Sequence, residues 1–143
     1  MINEVLVNER LAMIAEFYKE LQDLKSLSKK EFMETRNWAA AESFLRRSLE
    51  GIFDVGRHIL SKSGGVELAK EYKGIAVGLG RKKVVTTDMS CKLVEMAGYR
   101  NRMVHLYHQI GEEELYDLVQ NHLDDLALFI KEISAFLKGL PEK

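Results

Sequence analysis

Hydrophobic positions recur along this chain at three- and four-residue steps with charged residues between them, the period of helices that bury one side. Leu11, Ile14, Phe17, Tyr18, Leu21 and Leu24, separated mainly by Glu, Lys and Gln, predict a first helix from about Asn3 to Leu24. Ser28 followed by Glu31 is a capping-box pair, so a second helix is expected to start there. Its apolar positions, from Phe32 and Trp38 through Ala41, Leu45, Leu49, Ile52, Phe53, Val55, Ile59 and Leu60, carry it to about Ser61. Gly51 and Gly56 within it either permit a bend or let another helix approach closely, and Ser63-Gly64-Gly65 ends it. A shorter helix from about Glu67 to Leu79 is broken up by Gly74, Gly78 and Gly80, and Arg81-Lys82-Lys83 with Val84-Val85 form a basic connector. Thr87 or Asp88 caps a further helix that begins near Met89. After Gly111, Glu112-Glu113-Glu114 puts acids at the positive end of a last helix reaching about Leu137. No segment alternates with period two. The expected fold is therefore all-α, an antiparallel bundle of four main helices plus a short one, as a single domain over residues 1–143.

Composition narrows the function classes. The chain is 46% hydrophobic and 30% charged with one proline, Pro141, which suits a globular helical protein. A net charge of −1 excludes a molecule that binds nucleic acid by overall charge, so any such binding must come from a local patch. Residues Met1 to Arg10 contain acids and no apolar run, and no uncharged run approaches the roughly 18–20 residues that span a bilayer. A cytoplasmic protein with no membrane partner is expected. The lone Cys91 forms no internal disulfide and reads as a small packing residue rather than a reactive thiol.

The chemistry concentrates in Gly98-Tyr99-Arg100-Asn101-Arg102-Met103-Val104-His105-Leu106-Tyr107. Arginine matches the forked geometry of a phosphate, and histidine exchanges protons near neutral pH, together a toolkit for phosphodiester chemistry without a metal. Met96, Tyr99, Met103, Leu106 and Ile110 form the core-facing seam of this helix. On a regular helix Arg100 and Tyr107 line up beside that seam while His105 faces away from it, so Arg100 and His105 share no side unless the helix loosens near Val104. A symmetric dimer that pools both groups in one cleft offers another route. From Arg81 to His108 there are six Lys/Arg (Arg81, Lys82, Lys83, Lys92, Arg100, Arg102) against two acids, a local basic face of the kind phosphate binding needs. Plainer readings stand beside these. Arg100 and His105 are ordinary solvated or ion-paired side chains, and Asn101 orients a phosphate or caps a turn. His105 and His108 are a metal pair only with a third ligand that the spacing does not provide, so no metal or cofactor is expected. His58 and His122 read as partly buried histidines and Trp38 as core. Arg46, Arg47 and Arg57 read as a solvated face or the extension of a basic groove.

The pattern Arg100-Asn101-x-x-Val104-His105-x-Tyr107 resembles the HEPN superfamily of small helical proteins. The chain is more closely similar to its HepT branch, toxins paired with a minimal nucleotidyltransferase antitoxin, MntA. Glu9-Arg10-Leu11, Ala41-Glu42, Asp54 through Leu60 and the final acidic helix extend the resemblance over nearly the whole chain. The resemblance implies a two-fold homodimer and a metal-independent endoribonuclease whose paired motifs line the dimer cleft. Arg100 would polarise the scissile phosphate of an RNA substrate, and His105 would serve as general base or acid. Asn101 would help position the phosphate, and Tyr107 would be the tyrosine that the partner AMPylates to silence the toxin. Arg102 is an extra cation inside the motif, placed to add to RNA contacts or to pair with an acid of the last helix. The Lys70–Val85 region matches the branch only loosely. The alternative is a non-catalytic HEPN-type nucleotide-binding or docking partner of such a nucleotidyltransferase.

Overall fold

The computed structural model describes residues 1–105 and 110–141. The described residues are all-α, with seven helices and one 3-10 turn. Helix α1 (Glu4–Lys25) is capped by Asn3, whose side-chain oxygen accepts the Leu6 N–H, and it buries Val7, Leu11, Ile14, Phe17 and Leu21 at the predicted spacing. That stripe packs along α3, the central helix.

The long second helix is two helices. α2 (Lys29–Phe32) carries the complete capping box between Ser28 and Glu31, and α3 (Thr35–Lys62) restarts after Glu34 turns to an extended conformation. Asn37 donates its side-chain amide to the Glu31 carbonyl at 2.8 Å, satisfying the end of α2 across the corner. The corner drops Phe32 into the core, edge-on to Tyr116 with ring centroids 5.3 Å apart. Helix α3 then runs unbroken, and its two glycines serve close approach. A methyl at Gly51 would sit 3.1 Å from Met13, and one at Gly56 only 2.6 Å from Ile75.

Beyond Gly64, which adopts a left-handed φ of +80°, the 3-10 turn Val66–Lys70 leads into α4 (Tyr72–Arg81). α5 (Thr87–Val104) is capped by Thr86, one residue before the predicted caps. The Thr86 hydroxyl accepts the Met89 N–H and donates to Glu132, whose carboxylate also takes the Thr86 N–H at 2.7 Å. This tie to the C-terminal helix is invisible locally.

The last helix also divides, into α6 (Glu112–Asn121) and α7 (Asp124–Lys138). Leu118, Val119, Leu123 and Leu126 are all buried, so the apolar pattern continues through the turn at His122 and gives no stop signal. Tertiary bonds hold the two pieces. Gln120 donates to the Lys25 carbonyl at 3.0 Å, and Tyr18 donates to Asp124 at 2.8 Å. That bond, with some burial and the Asp124 charge, raises the Tyr18 phenol above its ordinary pKa. No helix among the described residues is long and apolar enough to cross a membrane.

Candidate functional site

Helix α5 presents its seam inward as predicted. Met89, Leu93, Met96 and Ala97 are buried and Tyr99 and Met103 pack half-buried on the core, whereas Ile110, expected on the same seam, packs there from beyond the helix end at Val104. Cys91 lies on the other side and is exposed, which corrects its reading as a packing residue. Two residues from Met89 on a helix, it points nearly opposite the buried seam.

Arg100 leans off this helix into the bundle, its side chain 17% exposed. The guanidinium carbon lies 4.0 Å over the centre of the Tyr72 ring, from the first turn of α4. Glu50 of α3 is 3.8 Å from Nη2, an ion pair without a hydrogen bond, and Nη1 donates to the Asn101 side-chain oxygen at 3.4 Å. Nε is buried and has no acceptor among the described residues. A buried donor left unpaired costs about 1–3 kcal/mol, so this partly buried cation carries one donor that the described residues leave unsatisfied.

His105 does not occupy the far side of the same helix. Helix α5 stops at Val104, and His105 follows with an extended backbone (φ −93°, ψ 119°), exposed to solvent. The helix therefore ends at Val104, the place where the sequence allowed for loosening. Leu106, Tyr107, His108 and Gln109 lie outside the described residues, so the candidate modification site Tyr107 and half of the histidine pair do too. Among the described residues no three His, Cys, Asp or Glu side chains gather as a metal site.

Arg102 takes the second of its two readings. Its fork meets both Glu114 oxygens of α6 at 2.6 Å, and this bidentate bond holds the Glu114 carboxyl below the usual carboxylate range. Lys92 is engaged too, 3.3 Å from Asp125 and 3.6 Å from Asp88. Acids of the C-terminal helices thus neutralise two of the six cations expected to form a basic face. Elsewhere, Arg46 pairs with Glu42 at 3.0 Å and Arg47 stacks 4.4 Å over Phe17. Trp38 is half-buried, lining a cavity of about 310 Å³ with Glu42, Met103 and Ile110 rather than sitting in the core. His58 is partly buried as expected. His122 is exposed instead, because it ends α6 at the turn.

Tyr72 and Glu50 were not singled out from the sequence. Glu50 and Arg57, seven residues apart, fall on one side of α3 in an otherwise apolar stretch, and that charged pair is the available signal. Nothing near Tyr72 in sequence points to Arg100.

The HepT-like family, described as "Ribonuclease HepT-like", matches residues 9–133. The chain belongs to this family. Among HepT relatives, the tRNA nuclease HepT of Aphanizomenon flos-aquae (strain 2012/KM1/D3) is 23% identical over 145 residues, covering 99% of this chain and 97% of the relative. The mRNA nuclease HepT of Shewanella oneidensis is 29% identical over 91 residues, 64% of this chain and 68% of the relative. The solved structure of the tri-AMPylated Shewanella oneidensis HEPN toxin in complex with MNT antitoxin superimposes with a TM-score of 0.79 at 24% identity. It covers 91% of this chain and 97% of that one, so the two share the HepT fold.

Proposed function

We propose that this chain is an endoribonuclease toxin that acts as a homodimer on RNA without a metal and is silenced by a nucleotidyltransferase antitoxin. The observation that carries the reading is Arg100, a partly buried guanidinium on an aromatic ring whose buried Nε has no acceptor among the described residues, on the helix whose end leaves His105 exposed. Such a cation is pre-organised for an anion, and it needs little rearrangement when negative charge builds on a phosphate. The nuclease names of the relatives and their antitoxin complexes support the same reaction class and partner.

In this reading Arg100 holds the scissile phosphate with help from Asn101, and His105 takes the proton from the ribose 2′-hydroxyl. The 2′-oxygen attacks phosphorus and the 5′-oxygen leaves with a proton, yielding a 2′,3′-cyclic phosphate and a 5′-hydroxyl. His105 of the second protomer, starting protonated, donates its own proton to the departing 5′-oxygen, so the two-fold cleft supplies both acid and base. Arg102, already committed to Glu114, adds at most a secondary contact with RNA. AMPylation of Tyr107 places an anionic nucleotide two residues past His105, where it competes with RNA for the same cations.

Purified protein should cleave RNA in excess EDTA, and Arg100→Ala or His105→Ala should each abolish cleavage while leaving the circular dichroism spectrum unchanged. Undiminished cleavage in either variant refutes these roles. Incubation with ATP and the partner nucleotidyltransferase should add AMP to the wild type and none to Tyr107→Phe, read by intact mass. Nucleotide addition without any cleavage by the unmodified protein would favour the docking-partner alternative.

A further inference from the structure

Tyr72 serves two guanidinium groups. Its ring opens α4, is braced edge-on by Phe53 with centroids 5.2 Å apart, and carries Arg57 of α3 as well as Arg100 of α5. With guanidinium carbons 5.3 and 4.0 Å from one ring centre, the two cations lie no more than about 9 Å apart. Like charges so close repel, and Glu50, facing only Arg100, is a weak counter-ion for both. Arg57 donates Nε to the Ala69 carbonyl at 3.1 Å, which fixes the side chain and leaves its two terminal nitrogens without a protein acceptor among the described residues. It forms no ion pair there, whereas Arg46, Arg102 and Lys92 each hold a carboxylate. The two guanidinium groups thus sit side by side with donor capacity that no acceptor among the described residues takes up.

We infer that Arg57 is the second cation of the Arg100 site and binds the phosphate next to the scissile one on a single RNA strand. Tyr72 is the positioning residue that holds the two guanidinium groups in register. Guanidinium forks suit phosphate oxygens, and an aromatic platform restricts each fork without occupying its donors. The inference rests on the ribonuclease reading, because Arg100 must hold a phosphodiester for Arg57 to meet its neighbour.

The test uses the full-length His105→Ala protein, which leaves RNA intact, and a short labelled single-stranded RNA followed by anisotropy over about 50–200 mM salt. Arg57→Met, which keeps an apolar stem on the ring and removes the charge, should flatten the dependence of log Kd on log salt by about 0.7, one single-strand phosphate contact. Arg57→Lys should restore the slope, and inorganic phosphate should compete only weakly if consecutive phosphates are what is recognised. With His105 intact, Tyr72→Phe should retain cleavage, while Tyr72→Leu should lower kcat more than it raises KM. Should Arg57→Met fail to fold by circular dichroism, Arg57→Gln provides the same slope. An unchanged slope in a folded variant whose parent binds RNA overturns the Arg57 subsite and leaves the roles of Arg100 and His105 standing. That holds equally if the variant has lost affinity for an acidic partner protein instead. Absence of RNA binding by the parent, together with absence of cleavage by the unsubstituted protein, overturns both.

Discussion

Two helical glycines should respond to alanine with opposite signs. Gly98 lies inside α5, exposed, and a methyl group there would meet nothing within 4 Å. A glycine in a helix interior costs about 0.8–1.0 kcal/mol relative to alanine, through backbone entropy regained on unfolding. Gly98→Ala should therefore stabilise the protein by about 0.5–1 kcal/mol, a rise in Tm of about 2–5 °C for a domain of this size. Gly56 gains the same propensity, but its methyl would lie 2.6 Å from Ile75 Cγ2 and 3.0 Å from Leu79 Cδ1. Both neighbours are fully buried, and the Ile75 methyl sits on a stiff β-branched carbon that cannot swing away. Overpacking of this kind costs about 1–3 kcal/mol, so Gly56→Ala should end about 1 kcal/mol less stable than wild type. The assay is thermal and urea unfolding by far-UV circular dichroism, at one protein concentration because an oligomer's midpoint depends on it. The reasoning is refuted if Gly98→Ala lowers Tm, or if Gly56→Ala raises it as much as Gly98→Ala does. A lowered Tm at Gly98 would mean that another chain packs against it in the assembly.

The pH dependence of folding should carry a histidine signature. His58 Nε2 accepts the Asn3 N–H at 2.9 Å, and burial, then Lys62 and the amino terminus, hold its pKa below the ordinary 6.5. The fold prefers the neutral ring, so this contribution is complete above 6.5 and fades as pH falls through the lower folded value. Wild type should lose more Tm on acidification from about pH 7 to 5 than His58→Gln, and parallel curves would count against it. Thr86→Ala removes the α5 cap and the hydroxyl bond to Glu132, leaving the backbone one, and should cost about 1–2 kcal/mol, whereas Thr86→Ser should recover most of it in the same melts. Glu114→Gln should cost no more than about 1 kcal/mol near neutral pH, because both partners of the Arg102 pair are more than a third exposed. The Glu114 pKa is depressed, so that difference should vanish as pH falls through and below the ordinary 4.5, and a gap persisting in acid would show that packing rather than charge is involved.

Much of the helical order was readable from residue spacing alone. The stripe of α1, the capping box at Ser28 and the inner side of α5 follow from local periodicity and hydrogen-bonding preference. The corner at Met33-Glu34 and the turn at His122 were not, because no glycine or proline marks them and the apolar pattern continues across both. They exist because Phe32 and Leu123 gain more from burial in the core than the chain loses by interrupting a helix.

The same division applies to the site. Sequence by itself determined that an arginine, an asparagine and a histidine share ten residues with a tyrosine, and that the flanking stretch forms a helix with one buried seam. Tertiary structure decided what each could do. It brought Tyr72 and Glu50 to Arg100, joined Arg102 to Glu114 and left His105 extended beyond the end of α5. The reason is the range of the forces. Helix formation depends on residues three and four apart, whereas the environment of a charge depends on groups that only packing of distant segments brings within a few ångströms.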